Sequence, residues 1–585
     1  MSHVHPPRPR LTLNVGITGH RATQLSPTVI AELGPSVDDV FRQLRAAAQR
    51  LHDSESAIFD PAPAQLRLHT PLATGADQLA ARSARESNYH IRALLPFPPD
   101  DYRTDFAEGD EREQFEQELD AAEGWFALPG DRDADEGPYV LVGKAVIAAA
   151  DILLAIWDGR EGNGPGGTAH VVDLALANSV PVIHVMVDPG GPAMGTVRLL
   201  VGGDAVEPEV QPIGSPADYD ALIEDTLAPH TDEERTHIDD YFDEVTKRRN
   251  WRIEYPLLLA ALGVKSLPRH PLREAPPEAP AADGRREQHL AAYEWANTLA
   301  IRYAQLFRSG HVANYVLSAS AVILALLGLL VPQVKVFLVI AELGAIGLLF
   351  SNTRAGRSGE WHRRWLQYRH LAESLRPLPY LKRSGLISTP FRSDFVQGAG
   401  HREGGADWTR WYAAAVWREM ESPTGIVTQT DIASLAKDFA AEQILPQAQY
   451  HRVNAGRMHK LDHRLHEVGN FLTGAVIAVC ILFLIGFVLL HYWVVRLTDG
   501  FIFLTAGLPA VGAAVFGLRG HGEHLLAASR SASTATALEV MASRLDDATD
   551  AEELAHGLEH GAAIMLADLN EWTIAYRERS LEIPG

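Results

Sequence analysis

The stretch "LNVGITGHRATQL" (residues 13–25) decides how the chain is read. An apolar run ends abruptly at Gly16, Ile17, Thr18 and Gly19, and His20 and Arg21 follow at once. A strand that stops in glycines and hands over to a cation fits the first strand of an open α/β sheet, with a ligand loop at its carboxyl end. Four more apolar stretches of strand length follow, at 65–71, 90–97, 151–157 and 180–187. Helical patterns lie between them. One spans 26–51, with Ser26 as N-cap and Pro27 at N1. Several of the strands are apolar on both faces, as in a parallel sheet covered by helices. Right-handed crossovers then give a Rossmann-like α/β unit over residues 11 to about 190.

Three loops carry the expected chemistry. "TGHR" (18–21) follows the first strand, "PLATGAD" (71–77) the second and "WDGREGNGPGGTAHVV" (157–172) the fourth. In a parallel sheet such loops share one edge. Helix N-termini there offer free N–H groups and the positive end of a dipole. Glycine lets backbone approach a phosphate, and arginine pairs with it bidentately. The expected ligand-binding residues are Thr18, Gly19, His20, Arg21, Gly75, Asp77, Asp158, Gly159, Gly166, Gly167 and Thr168. Asp77 or Asp158 is the expected acceptor of ribose hydroxyls.

Four segments are apolar enough for lipid: 312–331, 334–350, 471–495 and 500–518. A bilayer needs roughly 20 such residues per helix. The short connections "VPQVK" and "RLTDG" make them two hairpins. Arg354, Arg357, Arg363, Arg364 and Arg369 follow the second segment, and a basic stretch precedes the third, whereas the opposite ends carry little beyond Lys335 and Arg496. Positive charge stays in the cytoplasm, so both hairpins enter from inside and both termini face the cytoplasm of a multi-pass cell-membrane protein. Helices at 286–310, 359–376 and 524–547 are expected to extend the membrane segments without a break. The expected division is an α/β domain over 1–263 with a helical elaboration from 203, a Pro-rich linker over 264–284, a helical membrane domain over 285–545 and a C-terminal cytoplasmic helix over 546–585.

Composition narrows the function. The net charge of −22 argues against a nucleic-acid binder, which needs clustered cations. The single cysteine, Cys480, excludes an intramolecular disulfide, and the 25 scattered histidines form no metal constellation. Glu342, inside "VIAELGAIG", is an ionisable group within an apolar segment, and such groups usually face a bundle interior or water. It is the expected pore or intramembrane residue. Four helices enclose no wide pore, so a homo-oligomer is expected. Tryptophans 361, 365, 408, 411 and 417 suit either interfacial anchoring or core packing.

The blocks "VGITGHR", "TPLATGADQLAA", "LLPFPPDDYRTDF", "ADILLAIWDG" and "GPGGTAHVV", in this order, resemble the SLOG superfamily. That group includes the LOG phosphoribohydrolases, DprA-like proteins and the nucleotide-sensing domains of some ion channels. The membrane half, with "YEWANTLAIRYAQLFRSG", "WLQYRHLAESLR" and "LADLNEWTIAYRERSLEIP", is similar to the SLATT group of SLOG-associated transmembrane effectors. The pairing implies a bacterial effector of antiphage defence or stress response. Its cytoplasmic domain would sense a nucleotide second messenger, ADP-ribose-like or cyclic, and its membrane domain would act on the bilayer as a pore or disruptor. LOG enzymes place a glutamate after the glycine-rich loop. Here "PGGTAHVVDLA" offers His170 and no glutamate before Asp173, which favours binding over hydrolysis. The alternative is a membrane-tethered nucleotide N-glycosidase. No catalytic residue, metal or certain cofactor is assigned.

Overall fold

The computed structural model describes residues 5–130, 132, 137–160, 164–202, 208–245, 252–267, 286–388, 407–489, 492 and 496–576. Most of the expected linker, and the last residues of the third apolar segment, lie outside them.

The strands are β1 (Thr12–Gly19), β2 (Gln65–Thr70), β3 (His90–Leu95), β4 (Gly124–Ala127), β5 (Ile152–Trp157), β6 (Val182–Met186), β7 (Val197–Val201), β8 (Glu209–Pro212) and β9 (Gly425–Ile426). They form one mixed sheet in the order β8-β7-β6-β5-β1-β2-β3-β4-β9. The five expected strands are present as β1, β2, β3, β5 and β6, all parallel. The chain runs outward from β1 through β2, β3 and β4, then returns to β5 on the other side of β1.

Helices α1 (Pro27–Ser54), α2 (Ala76–Glu86), α3 (Pro99–Tyr102), α4 (Asp110–Asp120), α5 (Gly137–Ala149) and α6 (Thr168–Ala177) connect these strands. The elaboration expected to be wholly helical instead includes β8, which pairs antiparallel with β7, as β7 does with β6. Helices α7 (Pro216–Leu227), α8 (Asp232–Phe242) and α9 (Glu254–Ala261) follow.

The second half is helical: α10 (Arg286–Leu330), α11 (Lys335–Ser358), α12 (Trp361–Leu375), α13 (Leu378–Ser384), α14 (Asp407–Glu419), α15 (Gln429–Phe439), α16 (Leu445–Leu489), α17 (Thr498–Gly522), α18 (His524–Leu545) and α19 (Ala551–Tyr576). Four of the helical spans are long and apolar enough to cross a membrane. They contain α10, α11, α16 and α17 and match the four apolar segments. Helix α10 packs against α11 and α17, and α17 against α16. Helix α17 runs through Pro509 without ending.

The expected unbroken extensions after the second and fourth segments are not observed. Helix α11 ends at Gly359, and Glu360 takes a left-handed conformation with φ of 47° before α12. Helix α17 likewise gives way at Glu523, with φ of 40°, to α18. After each break the chain runs on along the same long helix, α12 beside the first half of α10 and α18 beside the first half of α16. A long helix paired in succession by two shorter ones therefore occurs twice.

The polypeptide between the hairpins joins the α/β domain. Strand β9 extends the sheet beside β4, and Val427 N–H donates to the Ala127 carbonyl at 3.0 Å. One hydrophobic core runs from Leu11 to Met565, through the sheet, α12, α14, α15 and α19. Trp365, Trp408, Trp411 and Trp417 are buried in this region, so they are packing residues.

Candidate functional site

The carboxyl ends of β1 and β5 are adjacent, and the chain leaves them toward opposite sides of the sheet. Such a reversal of strand order opens a crevice between the departing loops. The loops expected to bind meet here. His20 N–H donates to the Ile156 carbonyl at 3.0 Å, Ala76 N–H to the His20 carbonyl at 3.1 Å, and Ala22 N–H to the Thr74 carbonyl at 3.2 Å. His20 Nε2 lies 3.3 Å from both the backbone nitrogen and Oδ1 of Asp158. Unprotonated, it accepts from that N–H; protonated, it donates to the carboxylate. His20 thus clips the loop after β1 to the loop after β5.

The glycines divide into two kinds. Gly19 and Gly75 let the loops touch one another. A Cβ on Gly19 would come 2.4 Å from the Ala76 Cβ and 2.7 Å from the Ile156 carbonyl oxygen. Gly75 has φ of 99°, and a Cβ there would meet the backbone of His20, Arg21 and Ala22 within 2.8 Å. Gly167 differs: a Cβ would meet nothing closer than the Gly164 carbonyl oxygen at 3.5 Å. Gly159 also has room, with the nearest atom at 3.7 Å, and Gly166 abuts Tyr139 and Val140 at 3.3 Å.

Gly75 and Gly167 are the N-caps of α2 and α6, and neither helix start receives a capping side-chain hydrogen bond. Helices α1, α7, α8 and α15 are capped by Ser26, Ser215, Thr231 and Thr428. Thr168 is the first residue of α6. His170 is tied to the glycine turn, because Gly166 N–H donates to its Nδ1 at 2.9 Å. That bond leaves the proton on Nε2 and makes His170 a brace for the loop.

Arg21 is exposed and makes no salt bridge among the described residues. Its guanidinium lies over the Tyr139 ring, 5.2 Å from the centroid. The Tyr139 hydroxyl donates to Asp105 Oδ2 at 2.5 Å, and Arg132 pairs with Asp105 at 2.8 Å and Asp101 at 2.5 Å. The loop after β3 is therefore linked through Tyr139 to Arg21. Asp105 lies within the quoted "DDYRTDF" block, but Tyr139 and Arg132 had no sequence signal, since a tyrosine opening a helix and a loop arginine are ordinary.

Asp77 is 5% exposed, and its Oδ2 accepts from Ala73 N–H at 3.2 Å. It shapes the 71–77 loop and is not presented to a ribose, which leaves Asp158, half-buried, as the acidic group at the crevice. Burial raises the Asp77 carboxyl pKa from 3.8 to about 7, against the opposing effects of the Ala73 N–H and Arg21. A raised carboxyl pKa means that the folded chain holds more protons than the unfolded chain between about pH 4 and 7. Stability from this group falls as pH rises through that window, and its cost is complete above pH 7. Asp77→Asn is therefore expected to raise the melting temperature relative to the parent more at pH 8 than at pH 5. Equal shifts at both pH values would remove Asp77 from the titration. Glu419, also raised to about 7 by burial, contributes with the same sign in both proteins and cancels in the comparison.

No group of three or more His, Cys, Asp or Glu residues among the described residues is arranged to hold a metal ion. No family model matches the chain, and no curated protein or solved structure matches it.

Proposed function

We propose that the protein is a membrane effector whose Rossmann-like cytoplasmic domain binds a nucleotide-derived signal and thereby gates a pore in the bilayer. The observation that carries this reading is the convergence, at the strand-order reversal, of two helix N-termini without capping side chains and an unpaired arginine. Backbone N–H groups, dipole ends and a guanidinium together suit a phosphate or pyrophosphate. Asp158 suits a ribose hydroxyl, and the Tyr139 ring holds the Arg21 guanidinium in place for the phosphate. The SLOG and SLATT resemblances favour an ADP-ribose-like or cyclic nucleotide and a role in antiphage defence or stress response. The His170 brace and the missing glutamate favour binding over N-glycosidic cleavage.

The shared sheet and core support the proposed topology. β9 and α19 pack with the N-terminal domain, so the N-terminal domain, the inter-hairpin segment and the C-terminal helix lie on one side of a bilayer, the cytoplasm by their arginine content. In this reading Glu342 lines the pore of a homo-oligomer. Gly344 and Gly347 beside it leave open space in the single chain, room for a neighbouring helix.

The test is ligand-triggered ion flux from liposomes holding the full chain, with a panel of ADP-ribose and cyclic nucleotides, and chromatography of each nucleotide afterwards. Flux without turnover is expected, with cation preference reduced by Glu342→Gln. Sealed liposomes with bound nucleotide would count against the pore, and nucleotide turnover would favour the glycosidase. Arg21→Ala is expected to weaken binding by roughly 1.5–3 kcal/mol, the loss of a charged hydrogen bond. Gly167→Val is expected to abolish binding with little change in melting temperature, since a Cβ there meets nothing closer than the Gly164 carbonyl oxygen at 3.5 Å. Unchanged calorimetric affinity in both variants would move the site elsewhere.

A further inference from the structure

A cavity of about 890 Å³ lies among α9, α10, α12, α16, α17 and α18. None of its lining residues belongs to the sheet or to the loops at its edge. Val312, which opens the first apolar run, and Leu518, which closes the fourth, both line it, with Leu465 below the third. The cavity therefore sits where the apolar runs pass into their charged extensions. On the charged side its wall holds Lys265, Arg308 and Arg369. The lining carboxylate, Glu373, is 4% exposed and already paired with Arg369 and, at 3.0 Å, with Arg376. Arg308 has no carboxylate partner among the described residues. Its guanidinium is held over the rings of Trp365 at 5.0 Å and Tyr255 at 5.6 Å. Aromatic faces fix the direction of such a cation without neutralising it.

We infer that this cavity holds the phosphate head of an anionic phospholipid from the adjoining leaflet, with Arg308 as its main charge contact and its acyl chains rising past Val312, Leu465 and Leu518. The excess of cations selects an anion, because basic pockets between membrane helices on the cytoplasmic side suit anionic head groups. The volume and the apolar upper wall select a phosphate that carries hydrocarbon, since a free phosphate would leave most of the space unfilled. The site rests on the four apolar helices crossing a bilayer and is independent of the nucleotide reading. Loss of the protein from the membrane fraction would defeat that premise separately.

The test is native mass spectrometry of the full chain in mild detergent, titrated with phosphatidylglycerol or phosphatidylcholine. Retention of one phosphatidylglycerol per chain in preference to phosphatidylcholine is expected. Arg308→Gln should weaken it roughly tenfold or more, as the loss of a charged hydrogen bond does, and Arg308→Lys should restore most of it. Ala304→Phe, which narrows the cavity while keeping its charges, should also reduce retention. Equal retention of the two lipids, or parental retention in folded Arg308→Gln and Ala304→Phe, would overturn the proposal. Displacement of the lipid by glycerol 3-phosphate would overturn it in favour of a soluble phosphate site.

Discussion

Replacing Arg418 by alanine is expected to destabilise the folded chain by about 3–5 kcal/mol, the usual consequence of leaving a buried charge without its partner. The partner is Asp151 at the start of β5, which is 2% exposed. Arg418 Nε donates to Asp151 Oδ1 at 2.9 Å, while Asn14 donates to Oδ2 through its backbone N–H at 2.9 Å and its Nδ2 at 3.1 Å. Arg418 also donates to the Thr226 carbonyl at 2.8 Å. Thermal unfolding of the full chain in detergent measures the loss. The double variant Arg418→Met with Asp151→Asn is expected to recover most of it, because no buried charge remains and the amide oxygen still accepts from Asn14. An Arg418→Ala protein as stable as the parent would show that Asp151 finds water or protonates at small cost.

Gly75→Val is expected to be nearly as damaging, but locally. The backbone there, at φ 99° and ψ −114°, is a conformation that L-residues with a Cβ avoid. The added carbon would also lie 2.7 Å from both His20 O and Ala22 N. Backbone strain of roughly 1–3 kcal/mol and overpacking of roughly 1–3 kcal/mol add to about 2–6 kcal/mol. Because the atoms struck are main chain, the loop after β1 has to move away from α2. The expected result is loss of nucleotide affinity together with a new tryptic cut at Arg21. Intact affinity would show that this junction does not shape the crevice. Gly167→Val, which fits the fold, separates blockage of the site from collapse of its scaffold.

Much of the architecture was legible because burial leaves periodic traces. Five strands were apolar enough to declare themselves, and four membrane-length runs could not be mistaken. Strand β4 is only four residues long and β9 only two, too short for a period to register. The two breaks at Glu360 and Glu523 fall in polar stretches with no proline, so composition predicted continuity. Strand β2 hides what covers its second face. Its alternation of Leu66 and Leu68 with Arg67 and His69 suggests one wet face, yet Arg67 is 2% and His69 1% exposed. Arg67 caps the end of α14, donating to the carbonyls of Arg418 at 2.9 Å and Glu419 at 3.0 Å. A cation there satisfies helix-end carbonyls and the negative end of the dipole. No sequence pattern reveals that a helix so distant in the chain will cover that face. At the site, the glycines and Arg21 were visible, whereas the burial of Asp77 and the Tyr139 link depend on how loops from separate strands stack.

The position of β9 also orders the protein's birth. Asn14 and Arg418, which meet in the finished fold, are 404 residues apart. A ribosome releases β1 to β8 long before it makes α14 and β9, and both membrane segments of the first hairpin emerge in between. Through that interval the β4 edge has no neighbour, and the buried cations of β2 and β3 lack their cover. Contacts so remote close slowly, and an open strand edge invites pairing with another chain. In the proposed topology, insertion of the first hairpin returns the growing chain to the side where the unfinished sheet waits. In that topology membrane entry acts as a step in folding the α/β domain, and a nascent chain stalled before residue 425 should be the form most dependent on chaperones.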